Sequence, residues 1–266
     1  MEKYKIDKGT KIILWLFVIY FIVVVVLFVP GYLKKRGKLY IVSPNYKIQY
    51  INGKWSNITN VDDYNMQEFE VFNNKSHLGK YKIIAANKLL LYDENGKNVK
   101  YDGDIFAYYG SFDIEMLNFN AEDNISETDK NIVSQAIAEA DIKGVFDYSI
   151  RQKLVVDIDY DGINETIYNV SNNLIGDPNT LDGIRETTDD NIFSLVFMYK
   201  DNEINIIDKK EDTTISKAFE LDNVVDIKTN GDIELIYLDK YVQTEDDMCV
   251  KIYNLSDDKE VHNFCE

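Results

Sequence analysis

Val155-Val156-Asp157-Ile158-Asp159-Tyr160-Asp161-Gly162-Ile163-Asn164-Glu165-Thr166-Ile167-Tyr168 returns 69 residues later as Val224-Val225-Asp226-Ile227-Lys228-Thr229-Asn230-Gly231-Asp232-Ile233-Glu234-Leu235-Ile236-Tyr237. The two segments align without gaps and share Val, Val, Asp, Ile, Gly, Glu, Ile and Tyr. Apolar, β-branched runs on either side of a polar, glycine-containing centre read as strand, loop, strand. Each copy is followed by a further hairpin pattern, Phe193 to Ile207 after the first and Cys249 to Phe264 after the second. A loop–strand–hairpin unit used twice is the pattern of blade-like β repeats. Residues 146–266 are therefore expected to hold two such repeats.

The loop of the first copy carries chemistry. Asp157, Asp159 and Asp161 stand at alternate positions, followed by Gly162 and Glu165. A hard cation such as calcium takes several oxygen ligands, and a tightly curled loop can point every second residue inward. Gly162 permits the bend, the Ile163 carbonyl would add a backbone ligand, and Glu165 would close the shell. Without a cation, four neighbouring carboxylates repel one another. The competing reading is an acidic, solvated turn, since Asp and Gly are common turn residues. An EF-hand is excluded, because its twelfth position would be Tyr168, where a bidentate Glu is required.

With its flanks reading as strands, the loop resembles the DxDxDGxx(D/E) loops of FG-GAP/VCBS-type repeats, the integrin-like β-propeller family. The resemblance spans about 120 residues, roughly 146–266, and implies Asp157, Asp159, Asp161 and Glu165 as side-chain ligands of calcium. It also implies an interaction scaffold. The second copy is degenerate: Lys228 and Asn230 replace two of the acids, beside Asp226, Asp232 and Glu234. A lysine ammonium there would stand in for the ion, so no calcium is expected at that loop. Two units fall short of the family's usual five to seven blades, so a partial or packed β-sheet arrangement is expected rather than a closed propeller.

Outward from the repeats, residues 126–141 read as a helix. Ser126 and Asp129 form a capping box, Ile132, Val133, Ala136, Ile137 and Ala140 share one face, and Gly144 marks the stop. The stretch 119–145 is thus expected to connect the repeats to a β-hairpin-rich domain over 38–118. There Asn52-Gly53 and Asn95-Gly96 signal hairpin turns, because both positions of such turns need positive φ. Its aromatic residues fit a sugar-binding platform or ordinary sheet packing.

At the other end, Ile12 to Val29 is an unbroken apolar run of 18 residues. At about 1.5 Å per residue it matches a hydrocarbon core, and Tyr32 follows at the interface. The following Pro30 to Arg36 has no small-x-small cleavage site and no lipoprotein cysteine, which favours an uncleaved signal-anchor over a signal peptide. Residues 1–11 are then a stub and 12–33 the anchor. Four basic residues precede the run (Lys3, Lys5, Lys8, Lys11) and four follow it (Lys34, Lys35, Arg36, Lys38), so charge does not orient it. The short head and the use of calcium outside the cell favour a cytoplasmic N-terminus and an extracytoplasmic body.

The fold class expected is mainly β, with one transmembrane helix, a hairpin-rich domain, a connecting helix and two repeats. A net charge of −17 disfavours nucleic-acid partners, since it repels phosphates. The Lys-, Asn- and Ile-rich composition fits a low-GC bacterium. Cys249 and Cys265 would face each other across a hairpin turning at Ser256-Asp257-Asp258, as a disulfide in an exported domain or as two free thiols. His77 and His262 are the only histidines, and no nucleophile elbow, P-loop or zinc motif occurs, so no catalytic residue is assigned. The leading expectation is a membrane-anchored, calcium-binding scaffold of the bacterial cell envelope, partnered by an envelope protein or polysaccharide. A wall-polysaccharide hydrolase and a structural or sensory domain are the alternatives.

Overall fold

The computed structural model describes Tyr20 and residues 37–265, apart from 74–75, 86–88, 102–104, 113, 118–119, 122–124, 145–147, 173–191, 213–216, 228–231 and 242–247. Of the expected anchor only Tyr20 is described, in helical conformation, and the rest of Ile12–Val29 lies outside the described residues. Among the described residues no helix is long and apolar enough to cross a membrane.

The chain is mainly β, as its alternating apolar pattern dictates. The repeat segment supplies two antiparallel meanders. The first runs β11 (Ser149–Val156), β12 (Glu165–Ser171), β13 (Ile192–Lys200) and β14 (Glu203–Asp212). The second runs β15 (Lys217–Ile227), β16 (Asp232–Tyr241), β17 (Met248–Asn254) and β18 (Lys259–Cys265). Their first hairpins share one register: Val156 pairs with Glu165 as Val225 pairs with Glu234. The 69-residue offset read from sequence is therefore also the offset of the backbone pairing.

The N-terminal strands are β1 (Lys38–Val42), β2 (Lys47–Ile51), β3 (Lys54–Asn57), β4 (Glu68–Asn73), β5 (Ser76–Ala85), β6 (Leu89–Tyr92), β7 (Asn98–Val99) and β8 (Ile105–Gly110). They form one sheet in the order β3-β2-β1-β8-β4-β5-β6-β7. Asn52 and Gly53 both take positive φ, at 54° and 81°, and close the β2–β3 turn. Asn95-Gly96 behaves differently. Tyr92 pairs with Asn98 across a longer loop, in which Asp93 Oδ1 accepts the Asn95 and Lys97 N–H groups and only Gly96 has positive φ. The Asp93 side chain thus replaces the tight two-residue turn that the dipeptide suggested.

Two short strands cross the expected boundaries at 118 and 145. β9 (Ile114–Met116) pairs with β15, and β10 (Asn120–Ala121) pairs with β11. The N-terminal region is thereby joined to the second repeat sheet and the connector to the first.

Packing is layered, with the central strands of both repeat sheets buried on both faces. Val225, Ile227, Ile236 and Leu238 of the second repeat pack on Leu39, Ile41, Ile48 and Trp55 of the N-terminal sheet. The opposite face, with Val224, Leu235 and Tyr237, packs on Leu154, Val156, Ile167 and Val196 of the first repeat. Equivalent faces, marked by Val156 and Val225, thus point the same way along the stack. An amide seam reinforces the joint: Gln152 Oε1 accepts the Leu221 N–H at 2.7 Å and Asn169 Nδ2 donates to the Phe219 carbonyl at 2.6 Å. Lys251 pairs with Asp208 of the other repeat at 2.5 Å.

The outer face of the first repeat is capped by α1 (Glu127–Glu139). Val133, Ala136 and Ile137 lie on Tyr168, Val170, Phe193 and Phe197. The capping box of Ser126 and Asp129 forms as the sequence implied. Asp129 also accepts the Tyr168 hydroxyl at 2.6 Å and pairs with Lys153 at 3.0 Å, so the cap ties the helix to the sheet. Burial opposes ionisation of this carboxyl, yet the Ser126, Tyr168 and Lys153 bonds hold it well below the usual carboxylate range. The helix stops earlier than Gly144 implied. Asp141 takes φ 56°, and Ile142 N–H donates to the Ile137 carbonyl, a Schellman closure with Ile142 buried beneath.

Candidate metal centre

The first repeat loop begins where β11 ends and finishes at Glu165, the first residue of β12. Side-chain bonds curl it. Gly162 N–H donates to Asp157 Oδ2 at 3.0 Å, Asp161 N–H to Asp159 Oδ1 at 3.2 Å, and Ile163 N–H to Asp161 Oδ1 at 2.7 Å. Tyr160 and Gly162 take positive φ, and a Cβ on Gly162 would meet open space, so that glycine is required by backbone conformation and not by crowding. Glu165 is 3% exposed and reaches back to accept the Ile158 N–H at 2.8 Å.

This fold brings together oxygens of Asp157, Asp159 and Glu165 within 4.8 Å of one another. Asp157 Oδ1 is shielded from water and has no hydrogen-bond partner. Asp161, expected as a ligand, stands outside the cluster, with its Oδ1 accepting the Ile163 N–H. Ile163 is exposed at the loop tip.

A cation is already present that sequence reading did not place. Lys200 Nζ lies 2.5 Å from Asp159 Oδ2 and 3.6 Å from Glu165 Oε1. The ammonium holds the Asp159 carboxyl below its usual range, and Asp159 in turn raises Lys200. Lys200 arrives by register: Thr166 pairs with Tyr199, so the end of β13 lies beside Glu165. Only the β12–β13 pairing could have revealed it, and no local motif encodes that.

The strands flanking the second loop place their acids differently. Lys228 and Asn230 lie outside the described residues. Asp226 is held in the sheet by pairing with Glu115 of β9 as well as Ile233, and strand alternation then sets it on the opposite face from Glu234. Asp226 accepts the Tyr160 hydroxyl of the first loop at 2.5 Å. Glu234 turns instead toward the N-terminal sheet beside Trp55; it is 2% exposed and its Oε2 has no hydrogen-bond partner. In the first repeat β10 pairs only with Leu154 and Val155, which leaves Asp157 free to turn into the loop. The added strand thus reaches Ile227 in the second repeat and stops at Val155, one residue short of Val156, in the first.

Beside the first loop lies an open cleft of about 450 Å³. Ile158, Asp159, Tyr160, Lys200, Asp226 and Ser256 are among its walls.

Cys249 pairs with Cys265 across β17–β18 and the two sulfurs are bonded. The connection is Leu255 to Asp258, one residue longer than the three-residue turn expected, and a bulge between Ile252 and Tyr253 restores the register.

Compared with known protein families, curated proteins and solved structures, the chain finds no match.

Proposed function

We infer that the chain is a membrane-anchored scaffold of the bacterial cell envelope, whose extracytoplasmic β-rich body binds calcium at the first repeat loop. The convergence of Asp157, Asp159 and Glu165 carries this reading. The donors are all carboxylate oxygens, which suit a hard cation rather than zinc or copper. The shielded, unpartnered Asp157 Oδ1 is the kind of atom that a cation would satisfy. Asp157, Asp159 and Glu165 would hold the ion, which would supply the positive charge that fixes the loop. Asp161 would act through the turn.

The apolar run Ile12–Val29 supports an anchor, with the N-terminus in the cytoplasm. The Cys249–Cys265 disulfide supports a body on the oxidising side of the membrane. A layered body with edge strands and no assigned catalytic group suits a scaffold for an envelope protein or polysaccharide. Affinity capture from cell envelopes with the full chain in detergent tests this role. Recovery of a discrete envelope protein or glycan in calcium, lost in chelator, is the expected result. No specific recovery in either condition would overturn the scaffold reading.

A further inference from the structure

We propose that Lys200 is a built-in competitor for the metal: its ammonium and a divalent ion occupy the Asp159–Glu165 side of the first loop in alternation. This rests on the calcium reading above and adds the regulation of that site. Both Lys200 partners are members of the three-carboxylate cluster. An ion held by those oxygens would sit within a few ångströms of the ammonium, where like charges repel strongly. Lys200 sits on β13, outside the loop, on a flexible stem with one third of its side chain exposed. It can therefore leave without unfolding the loop, and the adjoining cleft that it already lines offers room.

The consequence is a threshold. In low calcium the ammonium neutralises the carboxylates and keeps the loop closed. In high calcium the ion takes Asp159 and Glu165, and the freed ammonium turns the cleft wall from paired to cationic. An acidic loop without such a competitor would bind calcium more tightly and collapse more completely in its absence.

Calcium titration calorimetry on the full chain in detergent tests this, comparing wild type with Lys200→Met and Lys200→Arg. The proposal expects Lys200→Met to bind calcium at least about tenfold more tightly, since one unit of opposing charge is removed at close range. It also expects a crossed stability effect: Lys200→Met melts lower than wild type in chelator and gains more on calcium addition. Lys200→Arg keeps the charge and should stay within about threefold of wild-type affinity. Calcium binding by wild type with unchanged affinity in Lys200→Met would overturn the competitor and leave the calcium site standing. Binding by Lys200→Met alone would support Lys200 as the resident cation and overturn calcium binding by the native loop. No binding by any of the three would overturn both. Should Lys200→Met fail to fold, Lys200→Gln provides the same loss of charge with a polar side chain.

Discussion

Replacing Glu234 by Gln should flatten the pH dependence of stability between about pH 4.5 and 7. Glu234 occupies the position in the second repeat that Glu165 occupies in the first, yet among the described residues no ammonium forms an ion pair with it. Burial, followed by the negative charge of Asp232, pushes its carboxyl from the ordinary 4.5 up to about 7, with Trp55 and Lys259 pulling the other way. Because the folded value is raised, the folded state keeps a proton that the unfolded chain releases. Stability from this group is complete below about pH 4.5, declines as pH rises, and is lost once pH passes 7. The difference of about 2.5 units corresponds to roughly 3 kcal/mol. Gln is nearly isosteric and cannot ionise, so the variant should avoid that loss. Urea unfolding followed by circular dichroism, in chelator at pH 5 and pH 8, reads the effect. Other carboxylates, such as Asp129, titrate in both proteins and cancel in the comparison. The wild type should lose about 2–3 kcal/mol more than the variant between the two pH values. Parallel pH profiles would show that Glu234 is ionised or solvated in the folded protein and would refute the reasoning.

Tyr168→Phe removes a hydrogen bond to the buried, ionised Asp129 while leaving the ring stacked on Phe197. It should cost about 1.5–3 kcal/mol in urea unfolding, the range for bonds to charged groups. Cys249→Ser opens a loop closed across a separation of 16 residues. Unfolding without reductant should show a loss of about 3 kcal/mol, and wild type with reductant should match the variant.

The strand-forming regions were legible because the central strands of both repeat sheets are buried on both faces, and such strands announce themselves by dense Val, Ile, Leu and Tyr; which sheet packs on which was not. Val155 to Tyr168 and Val224 to Tyr237 could be aligned by eye, and their backbone pairing follows the same offset. The cap at Ser126 was legible because it depends on residues three apart. What escaped was set by contacts distant in sequence or by side chains acting as backbone. β9 and β10 are three and two residues long, too short to carry any period, yet β9 pairs alongside Asp226 while β10 stops short of Asp157. Asp93 and Asp141 closed a turn and a helix where glycine was expected to. The cross-strand position of Cys249 and Cys265 came from a longer loop offset by a bulge, two features that cancel in the register. In the loop itself, spacing alone drew Asp161 into the ligand set, and the folded loop gathers Asp157, Asp159 and Glu165 without it. Lys200 entered through strand pairing, which no spacing rule reports.

The most direct test of the calcium site is thermal unfolding of the full chain in detergent with calcium, magnesium or chelator. A dissociation constant of about 0.1 mM, ordinary for extracellular modules, would stabilise the fold by roughly 1.4 kcal/mol at 1 mM calcium and about 2.7 kcal/mol at 10 mM. The account predicts a calcium-specific rise in Tm that Asp159→Ala and Asp157→Ala abolish and Asp161→Ala largely retains. No rise in wild type at 10 mM calcium, or one that survives Asp159→Ala, would contradict it.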